Sequence, residues 1–346
     1  MQGSFIPVES PRLGALTTVL QRITHAYVAA VKPDDIVTLD VDAHIVESSK
    51  RTALMTYEGS RGYQPLLVQW AETRLILAEQ FRDGNVPASE NIKELVARAY
   101  DSLPPREGGW RVQVRSDSAG YQWAELDDWD SRGWRFGVSA DMSPSLRKEI
   151  EKLPTDQWHF WSEERGGVVR EWAEVPFVPS RPSEHRDTKP YRYLAIRIRR
   201  AQGELFADGN SAKHFAVVTN DWATGGQDLL EWHRGKAGTV EHAHLVLKDE
   251  LGAAVYPSAK FGANAAWLRL QVITFNLLEL LKAVSLDKKY RNARPKRLRF
   301  AIFIQLGILV SHARKQFMRV MAKALYEVFN PGRYRHKQLR PVWCSC

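Results

Sequence analysis

Polar and apolar residues alternate with a period of two along several early segments, and this pattern predicts β-strands. In IVTLDVDAH the apolar side chains face one side, and the polar side ends in Asp40 and Asp42. GYQPLLVQWA and RLILAEQFR follow as two further strands joined by a short turn, so the first three strands are predicted to form a meander. A fourth strand is predicted at residues 110–116, and it is followed by Asp117 and a short turn-forming run.

Apolar residues spaced three and four positions apart predict four helices. They cover residues 11–31, SENIKELVARAYDSL, TVEHAHLVLKDEL and residues 263–284, the last of which is apolar enough to be a core helix. In TVEHAHLVLKDEL, Glu241, Leu245 and Lys248 lie on one stripe. The order in the first part of the chain, after the N-terminal helix, is therefore strand, strand, strand, helix, strand.

Short strand-like runs dominate residues 124–220. WRFGVSA, WHFWSE, VREWAEVPFV, YRYLAIRIRR and HFAVVTN each have strand character, and PSRPSEHRDTKP is a proline-bearing polar loop. No sequence period recurs here. The region is therefore predicted to be a β-rich insertion and not a repeat array.

The composition is that of an ordinary globular protein, with 44% hydrophobic and 26% charged residues. The longest apolar run, FAIFIQLGILV near residue 305, is too short to span a bilayer and predicts a buried strand or helix, so no membrane partner is expected. The N-terminus lacks the layout of a secretory signal. The two cysteines, Cys344 and Cys346, form neither a disulfide framework nor a zinc site, which favours a reducing, cytoplasmic location.

Several enzyme classes are disfavoured by missing motifs. The sequence has no Walker A loop, no Gly-x-Gly-x-x-Gly fingerprint and no Gly-x-Ser-x-Gly elbow. ATP-driven, dinucleotide-dependent and α/β-hydrolase chemistry are therefore not expected. His242 and His244 are two residues apart on a helix, a poor spacing for a shared zinc ion, so they are predicted to be surface or DNA-facing residues.

Positive charge is concentrated near the C-terminus. The chain carries a net charge of +9, and residues 281–346 hold 16 Lys or Arg residues but only two acidic ones, Asp287 and Glu327. The runs DKKYRNARPKRLRF and NPGRYRHKQLR interleave basic residues with Tyr and Phe. A solvated basic face is the common explanation, yet a surplus this uneven favours a polyanion, with nucleic acid ahead of a lipid surface.

Three carboxylates on separate elements are the candidate chemistry. A strand ends at Asp42, another strand delivers Asp117, and a later helix carries Glu241. Each alone is most often a cap or a solvated charge. Together, oxygen ligands from separate elements are what hard cations such as Mg²⁺ require, and two such ions can clamp both oxygens of an in-line phosphoryl displacement.

The segments TLDVDAH, GYQPLLVQW, FRDGNVPAS, VQVRSDSAGY, FAVVTN and GTVEHAHLVLKDELG resemble, in order and style, the DDE transposases of bacterial insertion sequences. More narrowly, they resemble transposase DDE domain group one, from about residue 34 to about residue 325. The more specific parts are the Arg-x-Asp-Ser segment around Asp117 and the segment from Arg82 to Asn85.

The resemblance implies an α/β fold with an RNase H-like mixed sheet flanked by helices and a β-rich insertion before the last acidic helix. The implied organisation is residues 1–33 as an N-terminal helix left from a longer helical region, 34–123 and 226–330 as the two parts of the catalytic core, 124–225 as the insertion, and 331–346 as a basic tail.

The resemblance also implies the catalytic and metal-binding residues, namely Asp42, Asp117 and Glu241. His44 stands where the family has Thr or Ser after the first acid, and Asp40, on the same face, is a rival to Asp42. The implied cofactor is a pair of Mg²⁺ ions, for which Mn²⁺ would substitute. The implied reaction is hydrolytic nicking at the ends of the element, followed by attack of the freed 3′-hydroxyl on target DNA.

Double-stranded DNA, comprising the terminal inverted repeats and the target, is the implied partner, with a dimer expected on the DNA. Lys248 is expected to contact a phosphate. Arg115 is expected either to orient Asp117, to bind backbone phosphate or to form a simple ion pair, and Trp158 or Trp161 is a candidate for stacking on an unpaired base. Arg234 and Lys236 precede Glu241 but not at the spacing of the Tyr and Arg of related transposases, and they are further DNA-binding candidates.

Two alternative functions remain open from the sequence. One is a truncated, catalytically idle DNA-binding remnant that regulates a full-length transposase. The other is a metal-dependent nuclease of the same fold that lacks strand transfer. Retention of all three acids favours the enzyme, and the short N-terminal region favours the remnant.

Overall fold

A computed structural model describes residues 10–164, 167–179, 190–200, 206, 209–304, 307–312 and 315–320. The chain divides into two compact units. Of the described residues, those between 35 and 242 form the first unit, and those between 10 and 34 and between 243 and 320 form the second. The predictions for Cys344, Cys346 and the basic tail at 331–346 lie outside the described residues.

The first unit is built on one nine-stranded mixed sheet and a small three-stranded sheet. In chain order its strands are β1 (Ile36–Ala43), β2 (Val46–Glu47), β3 (Leu54–Met55), β4 (Arg61–Tyr63), β5 (Leu66–Trp70), β6 (Leu75–Gln80), β7 (Arg111–Ser116), β8 (Arg135–Ser139), β9 (His159–Glu164), β10 (Val168–Val175), β11 (Arg192–Arg200) and β12 (Ala212–Thr219). The order across the large sheet is β6-β5-β1-β7-β8-β12-β11-β10-β9.

The first five strands of this order confirm the predicted RNase H-like core. β1, β5 and β6 form an antiparallel meander, and β7 and β8 continue the sheet parallel to β1. β1 is the central strand of these five and β7 is its neighbour, and apolar side chains such as Leu39 and Val114 are completely buried. Parallel strands are normally covered on both faces, which explains the dense apolar runs.

The strands predicted within residues 124–220 are all present, but they extend the same sheet. β12 pairs antiparallel with β8, and β11, β10 and β9 follow outward. β8 is the fifth strand of the RNase H-like core, although it falls within the segment 124–225 predicted as insertion. Helices α3 (Trp123–Ser131) and α4 (Pro144–Glu151) were not predicted, because their apolar stripes are short.

Two further helices of the first unit position the site. The predicted helix after β6 is α2 (Ile92–Asp101), which buries Ile92, Leu95, Val96 and Ala99 at helical spacing. After β12 the chain forms α5 (Gly226–Arg234) and a 3₁₀ turn (Gly235–Gly238) and then enters α6 (Val240–Glu250). The division between the two units falls within α6, after His242.

The Arg82–Asn85 segment holds neighbouring loops together through hydrogen bonds and one close backbone contact. The Arg82 guanidinium is fully buried and donates to the backbone carbonyls of Gln64, Pro87, Ala88 and Glu90. Burial lowers the pKa of Arg82 to about 10. A Cβ on Gly84 would lie 2.6 Å from the Gly62 carbonyl oxygen on β4, so this contact with the small sheet requires glycine.

The second unit contains the two long predicted helices, α1 (Pro11–Val31) and α7 (Phe261–Val284), which pack together. Buried Arg269 on α7 donates to the Leu13 carbonyl of α1 at 3.2 Å. Among the described residues, no helix is long and apolar enough to cross a bilayer.

The segment near residue 305 differs from its prediction. After α8 (Pro295–Leu298) comes a π-helical turn (Arg299–Phe303), and then β13 (Gly307–His312) pairs with β14 (Lys315–Val320). A strand was one of the two predicted possibilities. Its predicted burial was wrong, since Ile308 and Leu309 are 70% and 60% exposed.

Candidate active site

Two of the predicted acids lie at the ends of neighbouring parallel strands. β1 and β7 run parallel, and their register pairs Asp40 with Arg115 and Val41 with Ser116. Asp42 and Asp117 are the next residues of the two strands, so they lie at the same edge of the sheet. The carboxyl ends of adjacent parallel strands are a usual place for an active site in α/β folds.

Asp40, the rival to Asp42, is completely buried in an ion pair. The Arg115 guanidinium donates to both Asp40 oxygens, at 2.6 and 2.8 Å, and the Thr239 hydroxyl donates to Asp40 as well. A carboxylate held in this way is structural. The geometry therefore favours Asp42 over Asp40 as the first catalytic acid.

Arg115 is not placed to contact DNA or to orient Asp117. Its side chain is 6% exposed, and besides Asp40 it donates to the backbone carbonyl of Trp232. Of the roles expected for Arg115, the ion pair is the one the structure contains, but it is a buried pair and not a surface one.

Asp42 faces the ammonium of Lys236. The Lys236 Nζ lies 2.6 Å from Asp42 Oδ1, and the two side chains are 8% and 14% exposed. Burial alone would lower the pKa of Lys236, but the negative charges of Asp42, Asp117 and Glu241 outweigh it, and the pKa of Lys236 is raised. Lys236 is therefore charged at neutral pH. Its ammonium is paired with Asp42 and is not exposed to solvent, as the predicted contact with DNA would require.

The other two predicted acids act on the same ammonium through their charge. Asp117 caps the 3₁₀ turn Ser118–Gly120, where its carboxylate accepts from the Ala119 N–H at 3.2 Å. Glu241 is exposed in the first turn of α6. Because both carboxylates, together with Asp42, raise the pKa of Lys236, all three charges lie within electrostatic reach of its ammonium.

A nearby tyrosine is influenced by the same two aspartates. Tyr57 is 76% exposed in the turn between β3 and β4. Partial burial of its hydroxyl, and then the charges of Glu58, Asp117 and Asp42, raise the pKa of Tyr57. Asp42 and Asp117 therefore act on one nearby group, as expected if they belong to one site.

The donor set has the chemistry that a hard divalent cation requires, since all three acids are carboxylates on separate elements. As placed, Asp42 holds a lysine ammonium. Among the described residues, no three His, Cys, Asp or Glu side chains are grouped closely enough to hold a metal ion. The acids thus fit a cation in chemical type, whereas a chelate would require them to draw closer together.

The segment from Trp232 to Thr239, here called the docking segment, is hydrogen-bonded to residues near the carboxyl ends of β1 and β7. Its Trp232 carbonyl accepts from Arg115, its Thr239 hydroxyl donates to Asp40, and His233 Nε2 lies 3.1 Å from the Ser116 carbonyl oxygen. A carbonyl only accepts, so Nε2 must carry the proton. The roles of His233 and Thr239 could not be predicted from the sequence, since nothing local indicates a partner over a hundred residues away.

Replacing His233 should remove a pH dependence of stability. Burial, reinforced by the charges of Lys236 and Arg115, lowers the pKa of His233 from 6.5 to about 4. The unfolded chain therefore takes up this proton first as the pH falls, and stability is lost between pH 6.5 and 4. Between pH 6.5 and 4, the free energy of unfolding of His233→Gln should fall by about 3 kcal/mol less than that of the parent. Urea unfolding measures this difference.

The exposed His159 offers a matched His→Gln change for this measurement. An identical acid slope for His233→Gln and the parent would show that His233 is not held neutral.

Gly235→Ala should destabilise the docking segment. A Cβ on Gly235 would lie 2.6 Å from Arg115 Nη1, and Arg115 cannot move aside without breaking its bonds to Asp40. The expected loss of unfolding free energy is about 1–3 kcal/mol. Gly238→Ala is the control, because a Cβ there would meet nothing within 4 Å. Equal stability of the two variants would contradict the described packing.

The remaining predicted DNA contacts have different surroundings. Trp161 is buried in a hydrophobic cluster with Leu194, Val217, Leu229 and Leu230, so its predicted role in base stacking is not supported. Trp158 is also buried, at 9% exposure. Arg234 is exposed, with its guanidinium 5.1 Å from the centre of the Trp161 ring. Lys248 is exposed on α6, in the part assigned to the second unit.

The sheet has the strand order of an RNase H-like α/β fold. The sequence model of transposase DDE domain group 1 matches residues 8–329. The chain belongs to this family, and the predicted family assignment is confirmed.

Solved structures similar to this chain are also transposases. A piggyBac transposase synaptic complex with hairpin DNA matches over 70% of this chain and 48% of its own, with 10% identity and a TM-score of 0.38. A Mos1 mariner paired-end complex with Mn matches over 39% of this chain and 45% of its own, with 12% identity and a TM-score of 0.21. The chain spans about half the length of these structures. No curated protein sequence matches it.

Proposed function

We propose that this chain is a catalytically competent DDE transposase, which nicks DNA at the ends of an insertion sequence and joins the freed 3′-hydroxyl to target DNA. The observation that carries the proposal is that Asp42 contacts the Lys236 ammonium at the carboxyl ends of β1 and β7, while Asp117 and Glu241 lie within electrostatic reach of the same ammonium. A DNA-binding remnant would have no need to keep three acids in one electrostatic neighbourhood.

The proposed roles follow from where each acid lies. Asp42 and Asp117, on adjacent strands, would hold the metal that both share, and Glu241 would hold the second from α6. Divalent ions bound there, Mg²⁺ or Mn²⁺, would activate the attacking oxygen and stabilise the leaving oxygen. Nicking and joining are both in-line substitutions at phosphorus, so one set of acids serves both steps.

The proposed DNA partner is supported by the basic segment that follows α7. Lys288, Lys289, Lys296 and Arg297 are all exposed there. Lys289 and Arg297 lie over the ring of Tyr290, at 5.4 and 5.3 Å from its centre. A surface of this kind binds phosphate through charge, and its affinity for DNA falls as salt rises. Binding of terminal repeats and target by a dimer is part of the proposal.

The test is nicking of supercoiled plasmid with Mg²⁺ or Mn²⁺ by the parent chain and by Asp117→Asn. We expect metal-dependent nicking by the parent that is lost in the variant, while salt-sensitive DNA binding is kept by both. Equal nicking by the two proteins would refute the site assignment. DNA binding without nicking by either, also on DNA that carries the element's own ends, would favour the idle remnant.

A further inference from the structure

Lys236 occupies an unusual position for a lysine in a phosphoryl-transfer site. Its ammonium lies 2.6 Å from one oxygen of Asp42, under the influence of Asp117 and Glu241, and its side chain is 8% exposed. These are the three carboxylates assigned to the metal ions. One of the residues that should bind a divalent cation is therefore paired with a monovalent cation that the protein itself supplies, and the other two lie within its electrostatic reach.

Hydrogen bonds hold the residues on both sides of Lys236 in place, whereas the Lys236 side chain is long and has several rotatable bonds. On one side of it, the Trp232 carbonyl and the His233 ring bond to Arg115 and Ser116 of β7. On the other side, the Thr239 hydroxyl bonds to Asp40 of β1. The four-carbon stem of a lysine can swing its ammonium away while these bonds stay in place.

We propose that Lys236 and a divalent metal ion compete for Asp42, and that the metal displaces the ammonium toward the phosphate of bound DNA. This rests on the proposed function, because it takes the three acids as metal ligands. A divalent ion repels the ammonium and attracts the same carboxylate more strongly. Once displaced, the ammonium remains tethered beside the site, and a lysine is a good point charge for a phosphate.

The competition makes opposite predictions for metal binding and for catalysis. Lys236→Met keeps the length of the side chain and removes its charge, so Mn²⁺ should bind more tightly in the absence of DNA. The expected gain in affinity is about tenfold or more, measured by isothermal titration calorimetry. The same variant should nick DNA more slowly, because the phosphate loses its cation.

The matched control is Lys152→Met, which breaks a lysine–carboxylate pair on α4, with Glu149. It removes the same charge and should leave Mn²⁺ affinity unchanged. If the parent binds Mn²⁺ but Lys236→Met binds it no more tightly, the competition is refuted while the metal site stands. If neither protein binds Mn²⁺ and Asp42→Asn is equally inert, the metal site of the proposed function fails as well.

A second measurement is made on the parent chain, so it does not depend on whether a variant folds. The nearly buried ammonium of Lys236 should be methylated slowly by formaldehyde and borohydride, as read by mass spectrometry of its peptide. Adding Ca²⁺, which is redox-inert, should speed methylation of Lys236 and leave Lys152 unaffected. Unchanged or slower methylation of Lys236 with saturating Ca²⁺ would overturn the proposal.

Discussion

Asp42→Asn should reduce metal-dependent nicking about a thousandfold and leave DNA binding intact. An asparagine keeps the shape of the side chain and one oxygen acceptor for Lys236, but it cannot supply the negative charge that a shared metal requires. Nicking of supercoiled plasmid at saturating Mn²⁺ measures the first effect, and a filter-binding titration at several salt concentrations measures the second.

The result must be a loss of chemistry and not of fold. Asp42→Asn should lower the urea midpoint, because it takes the carboxylate partner from the 8% exposed Lys236 ammonium, but far-UV circular dichroism should show the parental fold under the assay conditions. Retention of more than about a tenth of the parental rate would contradict its assignment as a metal ligand.

Arg115→Met should lower the free energy of unfolding by about 3–5 kcal/mol, the largest stability effect expected at this site. The change leaves Asp40 charged and buried. Of the donors described above, the Thr239 hydroxyl remains. It also releases the Trp232 carbonyl from β7. Urea unfolding followed by far-UV circular dichroism measures the loss.

Two further variants distinguish a buried charge from a simple loss of contacts. The double variant Arg115→Met, Asp40→Leu should recover most of the stability, because it removes both charges together. Arg132→Met, which breaks the exposed pair with Asp128, should cost less than about 1 kcal/mol. A double variant as unstable as Arg115→Met would show that the charge on Asp40 is not the cause.

The sheet and the position of two acids at strand ends could be predicted because their signals are local. Alternating apolar residues identify β1 and β7, and helical spacing identifies α1, α2 and α7. Asp42 and Asp117 follow directly from the strands that carry them. The prediction weakened where elements are short, as in α3 and α4, because a few apolar residues fit a strand as well as a helix.

The choice between Asp40 and Asp42 could not be made from the sequence. Both acids point to the same face of β1, and what separates them is the parallel register that places Arg115 opposite Asp40. Lys236 is likewise 194 residues from Asp42 in the chain. Trp161 illustrates the same limit, since its burial depends on α5, which packs against it later in the chain.

The most direct test is a crystal structure of the parent chain grown with Mn²⁺ and measured at the manganese absorption edge. We expect anomalous peaks within coordination distance of the carboxylates of Asp42, Asp117 and Glu241, with Lys236 displaced from Asp42. Strong manganese peaks elsewhere in the chain, with none at these three carboxylates, would contradict the proposed active site.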